Sequence, residues 1–243
     1  MFFIISTMEP PFPITRGTLA GFIFIMRPPL SFRHFRSLID SCTFFVLVTA
    51  DISANIKSPY TASKYGAESL IHAYRHCYDI SPVIVRLSNV YGRYDVSERV
   101  IPLFFYNAVR NRDLSVFGKE KKLDFTYIDD CVDGLCRIVS RFDKVSGETF
   151  NLSTGRGERL WDLAKGIVRE TGSESQVIRG IKRTGEISMF VGDISLARRK
   201  LGYKPKVRLM DGLSKTWKWY SQIIRDPKIA AEQKKSLKRW GWD

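Results

Sequence analysis

The stretch from Ser58 to Leu87 constrains the fold of this chain more than any other. Ser58 followed by Pro59 is a helix start. A serine oxygen can accept from the unpaired N–H groups of a first turn, and proline's fixed φ and missing donor suit the first helical position. Behind it Tyr60, Lys64, Ala67, Leu70, Ile71 and Tyr74 recur at helical spacing to about Cys77, which predicts a helix. Pro82 then leads into Val83-Ile84-Val85-Arg86-Leu87, a short β-branched run of the kind buried in a parallel sheet.

The same alternation continues downstream. Helices are predicted over residues 99–111, from Asp129 or Asp130 (as cap) to about Arg141, over 160–170, over 193–201 with a stop at Gly202, and over 210–225. Strands are predicted at 114–117 and 149–152. Strands and helices of these lengths in alternation argue for an α/β fold with a mainly parallel sheet. Residues 1–50 read differently: rich in aromatics and proline, poor in periodicity, with one strand candidate at 43–49. The chain therefore divides into an atypical segment, 1–50, a sheet-bearing part, 51–155, and a part interleaved with it, 156–243.

At 243 residues and 44% hydrophobic, the chain can bury a real core. Its formal net charge of +14 attracts anions, nucleic acid among them. No zinc-finger spacing, RNA-binding signature or basic zipper accompanies that charge, so nucleic acid is not the expected partner. Part of the excess lies in Lys228, Lys234, Lys235, Lys238 and Arg239, a run expected to be exposed. The four cysteines, Cys42, Cys77, Cys131 and Cys136, form no paired framework, which points to a reduced, cytoplasmic location. Cys131 and Cys136 are expected in the core. Neither apolar run near the N-terminus approaches the ~20 residues of a membrane helix.

The chemistry is concentrated in Ser58-Pro59-Tyr60-Thr61-Ala62-Ser63-Lys64. Tyrosine and lysine four apart share one helical face. An ammonium beside a phenol favours the phenolate, and a tyrosine tuned in this way can take a proton from a hydroxyl while hydride leaves the same carbon. Further along come Arg86-Leu87-Ser88-Asn89-Val90-Tyr91-Gly92, Asp124-Phe125-Thr126-Tyr127-Ile128-Asp129-Asp130, Asn151-Leu152-Ser153-Thr154-Gly155, Arg183-Thr184-Gly185-Glu186, and Asp193-Ile194-Ser195 through Lys200-Leu201-Gly202-Tyr203.

In that order and spacing these segments resemble the extended short-chain dehydrogenase/reductases, and within them the NAD-dependent nucleotide-sugar epimerases and dehydratases, over roughly residues 55–220. The resemblance implies a Rossmann-type parallel sheet, here incomplete, with a smaller C-terminal α/β substrate domain. It implies Tyr60 and Lys64 as the catalytic pair, both also touching NAD, and Asn89 and Arg183 as ligands of a nucleotide-diphosphate sugar. An arginine suits a diphosphate because its planar fork donates two parallel hydrogen bonds. The implied reaction is that of a UDP-sugar 4-epimerase, by transient oxidation at C4 with Tyr60 as base. A 4,6-dehydratase or reductase is the alternative enzyme; the Asp-Glu pair of the dehydratases is not found here. A homodimer through the tyrosine-bearing helix is a further implication.

The chain also departs from that pattern. No G-x-x-G-x-x-G precedes Tyr60, where only Gly17 and Gly21 occur, and such a turn is what brings a pyrophosphate against a helix N-terminus. Weak NAD binding follows as an expectation, and a non-catalytic homologue that binds a nucleotide sugar or a polyanion without NAD is the second reading. None of Ser37, Ser41, Thr43 or Thr49 sits in the family's motif for the catalytic hydroxyl. Lys121-Lys122-Leu123 stands where the family carries an arginine. His72 and His76 are four apart without a third ligand, so metal binding is not expected. Trp217 and Tyr220, three apart, are expected to pack on the core.

Overall fold

The computed structural model describes residues 45–48, 59–78, 80–95, 97, 99–118, 120–180 and 189–223. The chain forms strand β1 (Phe45–Val48), helix α1 (Pro59–Tyr78) and strand β2 (Val83–Leu87) in succession. β1 and β2 pair in parallel, Phe45 opposite Val83 and Val48 opposite Arg86. β7 (Thr149–Leu152) joins the other side of β2, also parallel, so β2 is the central strand of three. Central position explains its composition: Val83, Ile84 and Val85 are buried. The helix begins at Pro59 as the sequence predicts, while its proposed cap Ser58 lies outside the described residues.

Shorter strands fill the gaps between the predicted elements. β3 (Asn89–Tyr91) pairs in parallel with β6 (Phe125–Tyr127), and β4 (Leu114–Phe117) with β9 (Val177–Gly180). The two-residue strands β5 (Lys122–Leu123), β8 (Glu158–Arg159) and β10 (Met189–Phe190) form a small sheet centred on β5. The remaining helices are α2 (Val100–Ala108), α3 (Ile128–Ser140), α4 (Phe142–Val145), α5 (Leu160–Thr171), α6 (Ser195–Leu201) and α7 (Leu209–Ile223). No described helix is long and apolar enough to cross a membrane.

Apolar burial falls into two clusters. One lies against β2 and β7 and joins Val83, Val85, Ile138, Phe150, Leu152 and Leu201. The other is built from α2, α5, α7 and the strands β3, β4 and β6 around Phe105, Leu114, Leu163, Ile167 and Leu213. Trp217 stacks on Phe105 at 5.7 Å and Tyr220 is buried beside it, as the three-residue spacing predicts. Asn151 and Arg137 lock the first cluster at its rim. Asn151 Nδ2 donates to the Asp193 carbonyl at 2.9 Å, and Arg137 Nη1 donates to the carbonyls of Leu201 and Gly202 at the end of α6. Gly202 takes the left-handed conformation (φ 64°) that closes α6, at the position where the sequence predicts a stop.

Three expectations are corrected. Neither Asp129 nor Asp130 caps α3; both lie inside its first turn. Asp130 is buried because its carboxylate accepts from the backbone N–H groups of Lys206 and Val207, at 2.9 Å each. Cys136 is exposed, unlike Cys131. Asp193 stands just ahead of α6 and accepts from Ser195 N at 2.8 Å; those Ser195 hydrogen bonds hold its carboxyl below the usual range. On α1, Leu70 and Tyr74 are exposed, and the inward face is Thr61, Lys64, Ala67, Glu68 and Ile71. Polar groups are held on that face because β2 offers one of them an ionic partner.

Candidate active site

The first turns of α1 follow β1 and so lie toward the carboxyl ends of β1 and β2, where ligands of open α/β sheets bind. Tyr60 is in the first turn of α1; the structure describes its backbone alone. Lys64, one turn on, is 8% exposed and belongs to the inward face. Glu68, a further turn on and 5% exposed, accepts from Arg86 Nε at 2.8 Å and from Arg86 Nη2 at 2.7 Å. This fork-to-carboxylate pair joins the helix to the central strand at the point where β2 ends. At the other end of the helix, Arg75 Nη1 reaches the Gly147 carbonyl at 3.4 Å, ahead of β7.

Beyond Arg86 the strand gives way to Ser88 and Asn89. The Ser88 and Thr126 hydroxyls are 2.6 Å apart, both buried. Asn89 opens β3, half-buried, and uses both its backbone N–H (3.1 Å) and its Nδ2 (2.9 Å) to hold the carbonyl of Asp124. Its Oδ1 has no hydrogen-bond partner among the described residues, so the side chain is fixed in place with an acceptor to spare. Arg183 lies in 181–188, outside the described residues; that segment leaves from β9 and returns through β10, which pairs with β5.

The chain's "DF-x-Y" segment does something the sequence does not announce. Asp124 is fully buried and gathers two loops. Its Oδ1 accepts from the Thr154 backbone N–H at 2.9 Å and from the Thr154 hydroxyl at 2.6 Å, and its Oδ2 from Gly155 N at 2.9 Å and Gly192 N at 3.4 Å. The loop after β7 and the approach to α6 thus hang on one carboxylate. Gly192 is needed there, since a Cβ would stand 2.2 Å from Ser153 Oγ.

Two other tyrosines in the motifs are structural. Tyr91 is buried with its hydroxyl donating to the Leu209 carbonyl at 3.2 Å, and burial pushes its phenol above the ordinary range. Tyr127, packed edge-on to Tyr91 at 5.6 Å, is pushed the same way, first by burial and then by Asp129. Neither suits the work of a base. His72 and His76 are exposed on α1, and no group of metal-binding side chains occurs among the described residues.

For a dinucleotide the fit is partial. Lys64 is a cationic side chain on the buried face of α1. Among the described residues no glycine turn links a strand directly to a helix N-terminus. Gly92 follows β3, but α2 starts only at Val100; Gly172 and Gly202 close helices.

Residues 47–153, which span α1, β2, Asn89, the Asp124 segment and β7, match the model of the NAD dependent epimerase/dehydratase family. The chain belongs to that family. A dTDP-glucose 4,6-dehydratase of Escherichia coli is 31% identical over 195 residues, 75% of this chain and 53% of the relative. UDP-glucuronate 4-epimerase 4 of Arabidopsis thaliana is 26% identical over 249 residues, 92% of this chain and 57% of the relative. Among solved structures, the UDP-glucuronic acid 4-epimerase of Bacillus cereus in complex with UDP-glucuronic acid and NAD superposes with a TM-score of 0.69 at 25% identity, over 76% of this chain and 65% of that one. The chain spans about half the length of the curated relatives it matches. The fold is that of the Rossmann-type epimerases and dehydratases, as the sequence implies.

Proposed function

We propose that this chain carries the proton-transfer and sugar-nucleotide-holding parts of a nucleotide-sugar enzyme that oxidises C4 of the sugar, with a UDP-sugar 4-epimerase as the reaction. The observation that carries the reading is the placing of Lys64 on the buried face of α1, one turn after Tyr60, at the carboxyl ends of parallel strands. Tyr60 is the base that takes the C4 hydroxyl proton, and Lys64 favours its phenolate. Tyr60 and Lys64 would hold NAD, which would supply the hydride acceptor for C4. Asn89, already fixed by Asp124 and with Oδ1 to offer, and Arg183 hold the nucleotide diphosphate.

The 4,6-dehydratase reading has its own support in the 31% identical Escherichia coli relative. Both reactions begin with the same C4 oxidation, and their products differ: an epimer of unchanged mass or a sugar that has lost water. The test is incubation of the full chain with excess NAD and, separately, UDP-glucuronic acid and dTDP-glucose, followed by mass spectrometry and chromatography of the sugar nucleotide. An epimer from the UDP-sugar, abolished in Tyr60→Phe, is the expected result. Conversion undiminished in Tyr60→Phe would remove Tyr60 from the mechanism, and loss of water would replace the epimerase by the dehydratase.

A further inference from the structure

Four residues separate Lys64 from Glu68, so the two share the inward face of α1, one turn apart. An ammonium and a carboxylate so placed are natural partners, the more so away from solvent. Yet Glu68 turns across to the sheet, with both of its oxygens on the Arg86 guanidinium at 2.8 and 2.7 Å. Two parallel charged hydrogen bonds from a planar fork outcompete a single contact with a flexible ammonium.

We infer that Arg86 is a positioning residue, which holds Glu68 on β2 and thereby withholds it from Lys64. The inference rests on the proposal that Lys64 serves Tyr60. A carboxylate delivered to Lys64 would offset the charge that favours the phenolate and draw the ammonium one turn along the helix, away from Tyr60. Arg86 lies opposite Val48 at the end of β1 and three residues before Asn89, so the same pair sets the helix against the strand that leads to the proposed substrate contact.

The experiment reads Lys64 directly. The full-length protein is treated with limiting acetic anhydride, and the acetylation rate of Lys64 is measured by peptide mass spectrometry relative to that of Lys204, which is exposed. Only the unprotonated, accessible amine reacts. In Arg86→Met the released Glu68 captures Lys64, and its rate falls about fivefold, the factor that 1 kcal/mol makes in an equilibrium. Adding Glu68→Gln to Arg86→Met returns the rate to that of the parent, and Glu68→Gln alone leaves it unchanged within about twofold, again on the scale of that factor. A role for the pair in stability alone predicts the opposite sign, because loosening α1 exposes Lys64 and speeds its acetylation. An unchanged or faster rate in Arg86→Met overturns the inference, as does a faster rate in Glu68→Gln alone. Where Arg86→Met does not fold, Arg86→Lys decides: it keeps the charge and loses the fork, so a smaller drop that Glu68→Gln abolishes supports the inference, and no drop overturns it. No nucleotide sugar enters the measurement, so its failure leaves the substrate reading untouched, and loss of the substrate reading is seen separately in nucleotide binding.

Discussion

Replacing Asp124 by asparagine keeps the shape of the side chain and removes half of its accepting capacity. Each carboxylate oxygen holds two donors: Thr154 N and Oγ1 on one, Gly155 N and Gly192 N on the other. However the amide is turned, its NH2 faces one of these pairs, donor against donor, in a fully buried position. An unsatisfied buried donor costs about 1–3 kcal/mol, and the Gly192 contact is the weakest of the four at 3.4 Å, so the total is about 2–4 kcal/mol. For a domain of this size about 2–4 °C of melting temperature goes with each kcal/mol, which places the loss at about 4–16 °C. Thermal unfolding followed by circular dichroism measures it. Asp143→Asn, an exposed acid in α4, is the control and should change stability by less than about 0.5 kcal/mol. A melting shift for Asp124→Asn no larger than the control's would refute the account of Asp124 as the anchor of both loops.

Gly212→Ala in α7 puts a Cβ 2.0 Å from the buried Tyr91 hydroxyl, and should cost about 1–3 kcal/mol in urea unfolding by overpacking; Tyr91→Phe, which removes that oxygen, should return part of the loss. Cys131, whose thiol is pushed up to about 12 first by burial and then by Asp130, should resist maleimide at neutral pH while the exposed Cys77 and Cys136 react, as intact mass and peptide mapping would show. The chain should bind NAD only weakly, so that turnover needs excess NAD, since residues 1–59 carry only Gly17 and Gly21 for the turn that seats a pyrophosphate. Micromolar or tighter binding in calorimetry would contradict that.

Much of the frame could be read from sequence because the signals were local. Pro59 starts α1, the β-branched run at Val83 makes the central strand, and Gly202 ends α6. The two-residue strands β5, β8 and β10 could not be read, because two residues carry no periodicity. Asp124 and Asp130 look in sequence like solvated acids near a helix start. Their partners lie 30 to 77 residues away, so only the fold reveals them as buried acceptors. The inward face of α1 is likewise visible only in the fold. Leu70 and Tyr74 recur at helical spacing yet are exposed, while Arg86 on the neighbouring strand holds Glu68 on the inward face with Ala67 and Ile71. Of the candidate site, Lys64 lies on the buried face of α1 and Asn89 opens β3, and the Glu68–Arg86 pair between them was missed. Its one local signal was a glutamate four residues after Lys64.

In the proposed site the chain holds a nucleotide diphosphate through specific groups and not through its general positive charge. Calorimetric titration with UDP-glucuronic acid, comparing the parent with Asn89→Ala, Arg183→Ala and Lys234→Ala, tests it most directly. A guanidinium–phosphate hydrogen bond contributes ~1.5–3 kcal/mol, so Arg183→Ala should weaken binding by roughly 10- to 150-fold. Asn89→Ala should weaken it by less, as loss of a neutral partner does, and Lys234→Ala should leave it nearly unchanged, because a charge in an exposed run acts weakly and is screened by salt. Equal losses from Arg183→Ala and Lys234→Ala would show non-specific attraction of a polyanion, and would contradict the nucleotide-sugar site.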